Sequence, residues 1–247
     1  MATTVKEETV KLQKNIDRTF EAGKTAEWNA FWDIMQDNGN RVSNQNMYAG
    51  RGWTDITFKP KHDVRVVGSG ERLFSTSGIC DLKGILEREK KTLDTSGATT
   101  LYFAFYLASV AYCPTIDCSG ITNTNGMQYL LNNCSLLVEV EKIILPDPAK
   151  ISGGYSAMLQ NCKALEKITF EGVINQKSFN MSGSPNLDLT SAKNILTCLA
   201  DLTGTANEFV YSVKLAQEVW DRLAADGATA PGDITWAEYV DDKGWLT

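Results

Sequence analysis

Apolar residues recur at the spacing of a helix face near the start of the chain. Residues 4–36 contain no proline, and Val5, Leu12 and Ile16, with the polar Thr9 between the first two, approximate a heptad seam. A coiled coil is indicated when such heptads are sustained, and this segment holds only about two of them. The pattern therefore predicts an N-terminal helix that either joins subunits as a short coiled coil or lies against its own domain.

A second apolar stripe follows Gly23, where the helix is expected to break or bend. Trp28, Phe31, Trp32 and Met35 fall at positions i, i+3, i+4 and i+7, so they share one helix face. A face of this kind is typical of a core or a subunit interface rather than of a cofactor site. The expected oligomerisation or attachment residues are Val5, Leu12, Ile16, Trp28, Phe31 and Trp32.

The most informative pattern is an internal repeat with an offset of 28 residues. Residues 126–137 read GMQYLLNNCSLL, and residues 154–165 read GYSAMLQNCKAL. Five positions coincide without a gap, which makes a chance similarity of two helix-turn segments the weaker alternative. The coinciding pairs are Gly126/Gly154, Leu131/Leu159, Asn133/Asn161, Cys134/Cys162 and Leu137/Leu165.

Fragments on either side extend this repeat. EKIIL at residues 141–145 matches EKITF at residues 166–170 if three residues, such as 138–140, are an insertion in the earlier copy. A degenerate copy is expected to begin at Gly97, where LYFAFYLASV leads to a short strand, TID, at residues 115–117. A later fragment, SFNMSGSPNL, is expected to be a truncated strand and turn.

Each unit predicts a short helix or turn, an Asn-Cys pair, a leucine and a short β-branched strand. One such unit cannot bury its apolar face alone, so stacked units would share one core as a solenoid. The cysteine would occupy a cramped interior position, and the neighbouring asparagine would satisfy backbone groups inside the turn. The apolar run at residues 101–112 is expected to be a buried segment. The predicted repeat core consists of Leu131, Asn133, Cys134, Leu137, Ile143, Leu159, Asn161, Cys162, Leu165 and Ile168.

The C-terminal part of the chain has the pattern of a helical cap. We expect a helix over residues 190–202, capped by Thr190 or Ser191, a strand over residues 208–213, and a further helix that ends at Gly227. The whole chain then divides into a helical stem or attachment segment, a junction with an N-terminal cap, the solenoid and the C-terminal cap. Their predicted ranges are 1–40, 41–96, 97–189 and 190–247.

Composition and charge narrow the chemistry. The net charge of -6 disfavours binding to nucleic acid and to an anionic membrane surface. A single histidine, His62, excludes a multi-histidine metal site, and Ser-His or Cys-His catalysis would depend on that residue alone. Neither a secretory signal nor a membrane-spanning apolar stretch is expected. We therefore expect no catalytic residue, no metal, no cofactor, no nucleic-acid partner and no membrane insertion.

The six cysteines are too sparse in a chain of this length for a disulfide framework, so free buried thiols are expected. Cys113 and Cys118, in CPTIDC, lack the further ligands of a zinc site, which favours a packing role or a local disulfide. Paired carboxylates for glycoside cleavage would meet only in space, and no aromatic-rich sugar platform is obvious to support them.

The LxNCxxL…EKIxF units resemble the BspA-like class of leucine-rich repeats. The stretch EAGKTAEWNAFWDIMQDNGNR, followed by GRGWTDITFKPKHDV, is similar to the start of leucine-rich-repeat proteins in phage and prophage structural gene clusters of gut Firmicutes. The endings are similar too, with SAKNILTCLADLTGT followed by a terminal KGW. The N-terminal signature residues are Phe31-Trp32-Asp33, Gln36, Asn38-Gly39-Asn40-Arg41, Gly50, Gly52-Trp53, Phe58, Pro60-Lys61 and Asp63.

The resemblance implies an α/β chain with an N-terminal helix, a short irregular leucine-rich repeat solenoid and a helical C-terminal cap. It also implies a non-enzymatic virion component that is made in the bacterial cytoplasm and binds other virion proteins and a host cell-surface glycan or protein. The helical N-terminus would mount the protein on the particle or form a homo-oligomer, with a trimer favoured. The alternatives are a virion-associated polysaccharide-degrading enzyme and a bacterial cell-surface adhesin, although the missing signal peptide disfavours the adhesin.

Overall fold

The computed structural model describes residues 46–247, apart from residues 51, 61, 150, 152–153, 156 and 205–210. The helix expected near the N-terminus lies outside the described residues, together with its heptad seam and its aromatic stripe. The expected attachment residues that fall there are Val5, Leu12, Ile16, Trp28, Phe31 and Trp32. The helical stem and its coiled coil therefore stay predictions.

Eight short strands and four short helices make up the part of the chain that the structure describes. In chain order they are β1 (Val64–Ser69), α1 (Leu82–Glu89), β2 (Leu93–Thr100), β3 (Tyr112–Cys113), β4 (Ile116–Asp117), β5 (Glu139–Ile144), β6 (Lys167–Glu171), β7 (Ser178–Met181), α2 (Leu189–Thr197), β8 (Ser212–Leu215), α3 (Gln217–Ala225) and α4 (Trp236–Asp242).

All the strand pairings among these elements are parallel. β1 pairs with β2, β3 and β4 pair with β5, β5 pairs with β6, and β7 pairs with β8. Parallel neighbours that follow one another along the chain arise when the chain winds in stacked coils, and about four coils are formed here. The prediction of a solenoid that mixes strands and helices is confirmed.

The strand register aligns the coils differently from the sequence comparison. Cys113 lies beside Val140, and Val140 lies beside Ile168. Ile143 pairs with Phe170 rather than with Ile168, because the ladder shifts between Val140 and Ile143. The extra residue is therefore a β-bulge inside β5. The expected insertion of three residues ahead of EKIIL is wrong, because the matching letters do not occupy matching layers.

The segment that precedes the strands of each coil is a run of tight turns. We call the stacked segments the turn array, which comprises residues 70–77, 101–108, 127–134 and 157–162. Within a segment, alternate N–H groups bond the carbonyl three residues back, as from Ala104 to Leu101 at 2.9 Å and from Tyr106 to Phe103 at 3.1 Å. The expected short helix or turn of each unit is thus a series of turns.

The intervening N–H groups of the turn array bond across to the next coil. Phe103 N donates to Gln128 O at 3.2 Å, and Phe105 N donates to Leu130 O at 2.8 Å. The same alternation joins the first segment to the second. Because buried peptide groups need partners, the turns become stable by being stacked rather than by forming a helix of their own.

Side chains of the turn array alternate in pairs, with two inward and two outward. The buried residues of the second segment are Leu101, Ala104, Phe105 and Ala108. The residues at 102–103 and 106–107 lie on the outer surface between them. The expectation that the whole run at residues 101–112 is buried is therefore wrong, because half of these turn positions must point away from the core.

Equivalent inward positions of successive coils form columns in the core. One column starts with three stacked rings, Tyr48, Phe74 and Phe105, whose neighbouring centroids lie 5.0 Å and 5.2 Å apart at interplanar angles of 17° and 18°. Leu131 and Leu159, which are 0% and 1% exposed, continue this column in the following coils. The repeated leucines therefore extend an aromatic stack that fills the earlier coils.

A second column holds small side chains where each segment leaves the turn array. Its members are Ser77, Ala108, Cys134 and Cys162, all of them buried. The thiol of Cys134 donates to Phe105 O at 2.9 Å, and the thiol of Cys162 donates to Leu131 O at 3.2 Å. Each thiol thus bonds the same position of the preceding coil, so the two Asn-Cys segments occupy equivalent adjacent layers.

The solenoid begins before the boundary that was expected at residue 97. β1 and β2 already pair with each other, and turns at residues 46–50 donate backbone hydrogen bonds to the first segment of the turn array. The described part of the predicted junction and N-terminal cap, residues 41–96, thus contains strands and turns that stack with the following coils. Its helix α1 is capped by Asp81, whose carboxylate accepts a hydrogen bond from Gly84 N at 2.8 Å.

The described C-terminal residues contain helices, as expected, and the first of them has a different capping residue. Asp188, rather than Thr190 or Ser191, caps α2, because its carboxylate accepts a hydrogen bond from Ser191 N at 2.7 Å. β8 begins at Ser212, near the end of the strand predicted over residues 208–213, and it pairs with β7. Gly227 follows the end of α3 with a φ of 67°, in the role expected of it.

We expect two of the six cysteines to react quickly in the folded protein. All six thiols are free, but only Cys80 and Cys198 are half-buried, whereas the other four are buried. Burial raises the pKa of Cys162 to about 12, so this thiol stays neutral at mildly alkaline pH, where the thiolate is the attacking species. A chromogenic disulfide reagent should release two equivalents rapidly from the folded protein and all six only in denaturant. Rapid release of all six from the folded protein would contradict the buried columns.

Candidate binding surface

The predicted repeat-core residues divide between the interior and the surface. Those that lie in the interior, each at most 1% exposed, are Leu131, Cys134, Leu137, Ile143, Leu159, Cys162, Leu165 and Ile168. Asn133 is half-buried and Asn161 is exposed, and both lie on the outer side of the turn array. Their placement in the core is therefore wrong, although they do contribute to coil stacking.

The two asparagines form a side-chain ladder across the coils. Both have left-handed backbones, with φ of 60° at Asn133 and 65° at Asn161, a conformation that asparagine tolerates better than most residues. Asn161 Nδ2 donates to Asn133 Oδ1 at 2.8 Å, and Asn133 Nδ2 donates to Asn132 Oδ1. Asn132 Nδ2 donates to Ala157 O of the next coil at 3.0 Å. These amides link neighbouring coils instead of satisfying the backbone of their own turn.

Left-handed residues recur at every segment of the turn array. They come in pairs spaced four residues apart, and none is a glycine: Arg72 and Thr76, Phe103 and Leu107, Tyr129 and Asn133, and Ala157 and Asn161. A left-handed backbone costs a residue with a Cβ about 1–2 kcal/mol. All of these residues sit at outward positions, so the outer side of the turn array carries the strained backbone of the solenoid.

Two of the coils present a cluster of rings on this strained side. We call it the aromatic patch, and it comprises Tyr102, Phe103, Tyr106, Leu107 and Tyr129. Phe103 stacks on Tyr129 of the next coil, with centroids 4.7 Å apart and an interplanar angle of 8°. Tyr102 and Tyr106 meet Phe103 edge-on at 4.3 Å and 4.8 Å. None of the five side chains is fully buried, and Leu107 is 49% exposed.

A cation borders the aromatic patch. The guanidinium of Arg72, in the preceding coil, lies 5.5 Å from the centroid of Phe103, which is within the range of a cation–π contact. The patch therefore combines ring faces, phenol hydroxyls and a positive charge. Tyrosine and arginine are enriched in the contact surfaces of proteins, because they offer both apolar area and hydrogen bonds.

Paired charges do not separate the two sides of the solenoid, because Arg72 beside the aromatic patch also forms an ion pair, with its Nε 3.8 Å from Glu71 Oε1, as do the lysines on the strand side. Lys83 Nζ lies 2.8 Å from Glu139 Oε1, and Lys142 Nζ lies 2.8 Å from Glu171 Oε2. The ion pair raises the pKa of Lys83 through its hydrogen bond to Glu139. The cluster of rings, rather than unpaired charge, distinguishes the turn array, and we place the candidate binding surface there.

Sequence reasoning missed the aromatic patch for a structural reason. The run at residues 101–112 is almost continuously apolar, and neither a helix nor a strand periodicity separates its inner from its outer positions. The side chains of this run follow a period of four residues, two inward and two outward, and that period is the signal in the sequence that could have identified the outward positions. Only the stacking of coils brings Tyr129 onto Phe103, so no aromatic platform is apparent along the linear chain.

The residues considered for metal binding are separated in the fold. Across the described ranges, no group of three or more His, Cys, Asp or Glu side chains could hold a metal ion. His62 lies half-buried just ahead of β1, and Cys113 and Cys118 are free thiols in the core. The local disulfide considered for these two cysteines is not formed. None of the helices that the structure describes has the length and apolarity needed to cross a membrane.

Comparison with known proteins identifies no relative of this chain. It matches no protein-family model, no curated protein and no solved structure.

Glycine substitutions at left-handed positions should separate backbone strain from the contribution of the rings. Ala157→Gly relieves a φ of 53° and removes only a methyl group, so the free energy of unfolding should rise by about 0.5–1 kcal/mol. Phe103→Gly and Tyr129→Gly gain the same relief but lose ring stacking worth about 0.5–1.5 kcal/mol together with the buried part of each ring's apolar area, so they should lower the free energy of unfolding. Urea unfolding measures all three. A loss of stability in Ala157→Gly would contradict a strained backbone at these positions.

Proposed function

We propose that this protein is a non-enzymatic structural component of a phage or prophage virion, whose solenoid binds the host cell surface or other virion proteins. The observation that carries the proposal is the aromatic patch, a cluster of half-buried rings beside the exposed Leu107 on the outer side of the turn array. Left-handed residues recur in every segment of the turn array, so the rings, and not the strain, distinguish this patch from the other segments. Here the strain is borne by Phe103, Leu107 and Tyr129, whose side chains remain outside the core.

The geometry of the rings supports binding rather than chemistry. Phe103 and Tyr129 are held by mutual stacking and by the edges of their neighbours, so they lose little conformational freedom when a partner covers them. Rigid aromatic side chains are frequent hot spots of interfaces. A sugar can pack its C–H face on such rings, and so can an apolar side chain of a protein partner. The partner class is therefore a surface glycan or a surface protein.

The resemblance of the N-terminal stretch and of the KGW ending to virion proteins supports a place on the particle. The parallel strands, some only two residues long, and the turn array support assignment to the BspA-like leucine-rich repeats, an irregular class with short strands. Residues 1–40 would then attach the protein or join several copies, with a trimer favoured. One patch offers a small contact area, and several copies on one stem would strengthen weak contacts through effective concentration.

Binding of the labelled full-length protein to cultured gut Firmicutes tests the proposal. The double variant with Phe103→Gly and Tyr129→Gly should bind at least about tenfold more weakly to the strains that bind the wild-type protein. The reason is that loss of an aromatic hot spot costs about 2 kcal/mol of binding free energy. Ala157→Gly has the same backbone change without a ring and should bind as the wild type does. Flow cytometry measures both. Equal binding by the double variant, or no binding to any strain together with absence from purified particles, would contradict the proposal.

The proposed homo-oligomer has its own test. Light scattering of the full-length protein should give a multiple of the 27.2 kDa chain mass, and deletion of residues 1–25 should lower it, because the deletion removes the heptad seam. The double variant Trp28→Ala with Phe31→Ala changes the second apolar stripe and leaves the heptad seam intact. Comparing its mass with that of the deletion shows which of the two stripes joins the subunits. A full-length chain that scatters as a monomer at high concentration would contradict the stem.

A further inference from the structure

The left-handed corners of the turn array form a column that ends with an uncovered ring face. Arg72, Phe103, Tyr129 and Ala157 occupy the same corner of successive segments, with φ between 53° and 57°. The guanidinium of Arg72 and the ring of Tyr129 lie against Phe103 from the two neighbouring coils. Within the described part of the chain, the rings that contact Tyr129 are Phe103 and Tyr102, both in the preceding segment, and no cation contacts it. The face of Tyr129 towards the following coil therefore meets neither a ring nor a cation.

The small side chain of Ala157 leaves space for one flat group beside Tyr129. Stacked strands lie about 4.8 Å apart, which is the separation that two stacked rings need. Phe103 and Tyr129 fill that spacing between their own coils, with centroids 4.7 Å apart. At the next corner the side chain ends at Cβ, and both Tyr129 and Ala157 are partly exposed. A flat group of a ligand can therefore continue the column where the chain itself has no ring.

Amides, and no charged groups, surround this open ring face on the turn array. No Asp, Glu, Lys, Arg or His occurs between Asp117 and Glu139, or within residues 157–162. In a chain with 22% charged residues, this gap disfavours a site that recognises its partner through ion pairs. We call the amide residues at outward positions of the third and fourth segments the amide face, which comprises Gln128, Asn132, Asn133, Gln160 and Asn161.

The amide face is fixed by its own hydrogen bonds and still offers polar atoms to a partner. Asn161 Nδ2 donates to Asn133 Oδ1 at 2.8 Å, and Asn132 Nδ2 lies 3.4 Å from Gln160 Oε1. Gln160 and Asn161 are exposed, and in the described ranges Gln160 Nε2 donates to no acceptor and Asn161 Oδ1 accepts from no donor. The amide face therefore presents one free donor group and one free acceptor, both held in place before a partner binds.

We propose that the partner bound by this side of the solenoid is a neutral glycan, with a pyranose unit packed on the open face of Tyr129. A pyranose has an apolar C–H face and uncharged hydroxyl groups around its edge. These hydroxyls can accept from Gln160 Nε2 and donate to Asn161 Oδ1. A charged partner would find no opposite charge on the amide face. This inference rests on the proposed function and selects the glycan from its two partner classes.

Immobilised wall polysaccharides of cultured gut Firmicutes test this inference. Anion exchange separates them into a neutral and an acidic fraction, and surface plasmon resonance of the full-length protein measures binding to each. The neutral fraction of at least one strain should bind saturably and at least about tenfold more tightly than the acidic fraction. Because no ion pair is formed, about 0.5 M salt should change this affinity less than about twofold. Absence of saturable binding to every neutral fraction, or a preference for the acidic fraction, would overturn the inference.

Substitutions at the open corner locate the site. Ala157→Phe places a ring where the chain has one at the two preceding corners, so it should fill the layer beside Tyr129 and weaken binding to the neutral fraction by at least about fivefold. Ala157→Gly leaves the corner open and should bind as the wild type does. Gln160→Leu removes the exposed donor and should weaken binding by about threefold to tenfold. Gln217→Leu, at an exposed glutamine of α3, is the matched control. Wild-type affinity in Gln160→Leu, and in Ala157→Phe where that variant folds, would overturn the inference.

Treatment of the cells distinguishes this inference from the proposed function. Periodate cleaves the vicinal diols of sugars, whereas a protease removes surface proteins. A strain that binds the protein should lose that binding after periodate and keep it after the protease. The opposite result would overturn the glycan as partner and leave host binding intact. Saturable binding to a neutral fraction, without binding to any intact strain, would support the glycan and count against attachment to the host surface.

Discussion

The hydrogen bonds between stacked turns are the constraint on which this structure depends. Half of the N–H groups in a turn segment bond within the segment, and the other half bond the next coil, as from Phe105 to Leu130 at 2.8 Å. A single segment would leave the second half without partners, so the turns are stable only as an array. The core columns then follow, because this stacking places equivalent side chains above one another. Tyr48, Phe74 and Phe105 fill the early layers with rings, and leucine fills the later ones.

The same array determines where strain and binding groups are found. A turn with this bonding requires a left-handed residue at each outward corner, and the chain places Phe103 and Tyr129 at two of these corners. Backbone strain and aromatic exposure thus have one structural origin. The interior corner has the opposite requirement, because space there admits only small side chains such as those of Cys134 and Cys162. Their thiols also bond the preceding coil, which explains why a small residue with a donor suits that position.

The repeat could be found from sequence where consecutive coils are alike, and it was missed where they differ. The Asn-Cys segments have one offset and no gap, so their equivalence was predictable and the structure places both in matching layers. From Phe74 to Phe105 and from Phe105 to Leu131 the chain travels unequal lengths, because α1 is inserted in the longer coil. No fixed period therefore marks the first coils. EKIIL and EKITF match in sequence but not in the strand register, because a β-bulge places Ile143 opposite Phe170 rather than opposite Ile168.

The sequence by itself determined that the chain winds into stacked apolar layers, that its cysteines are free thiols and that helices follow towards the C-terminus. These properties depend on local spacing and on the size and polarity of side chains, which are readable along the chain. Only the tertiary structure decided which turn residues face outward, and it alone formed the aromatic patch. The patch combines residues from different coils, as when Tyr129 stacks on Phe103. Such contacts depend on the register between layers, which spacing within one segment does not specify.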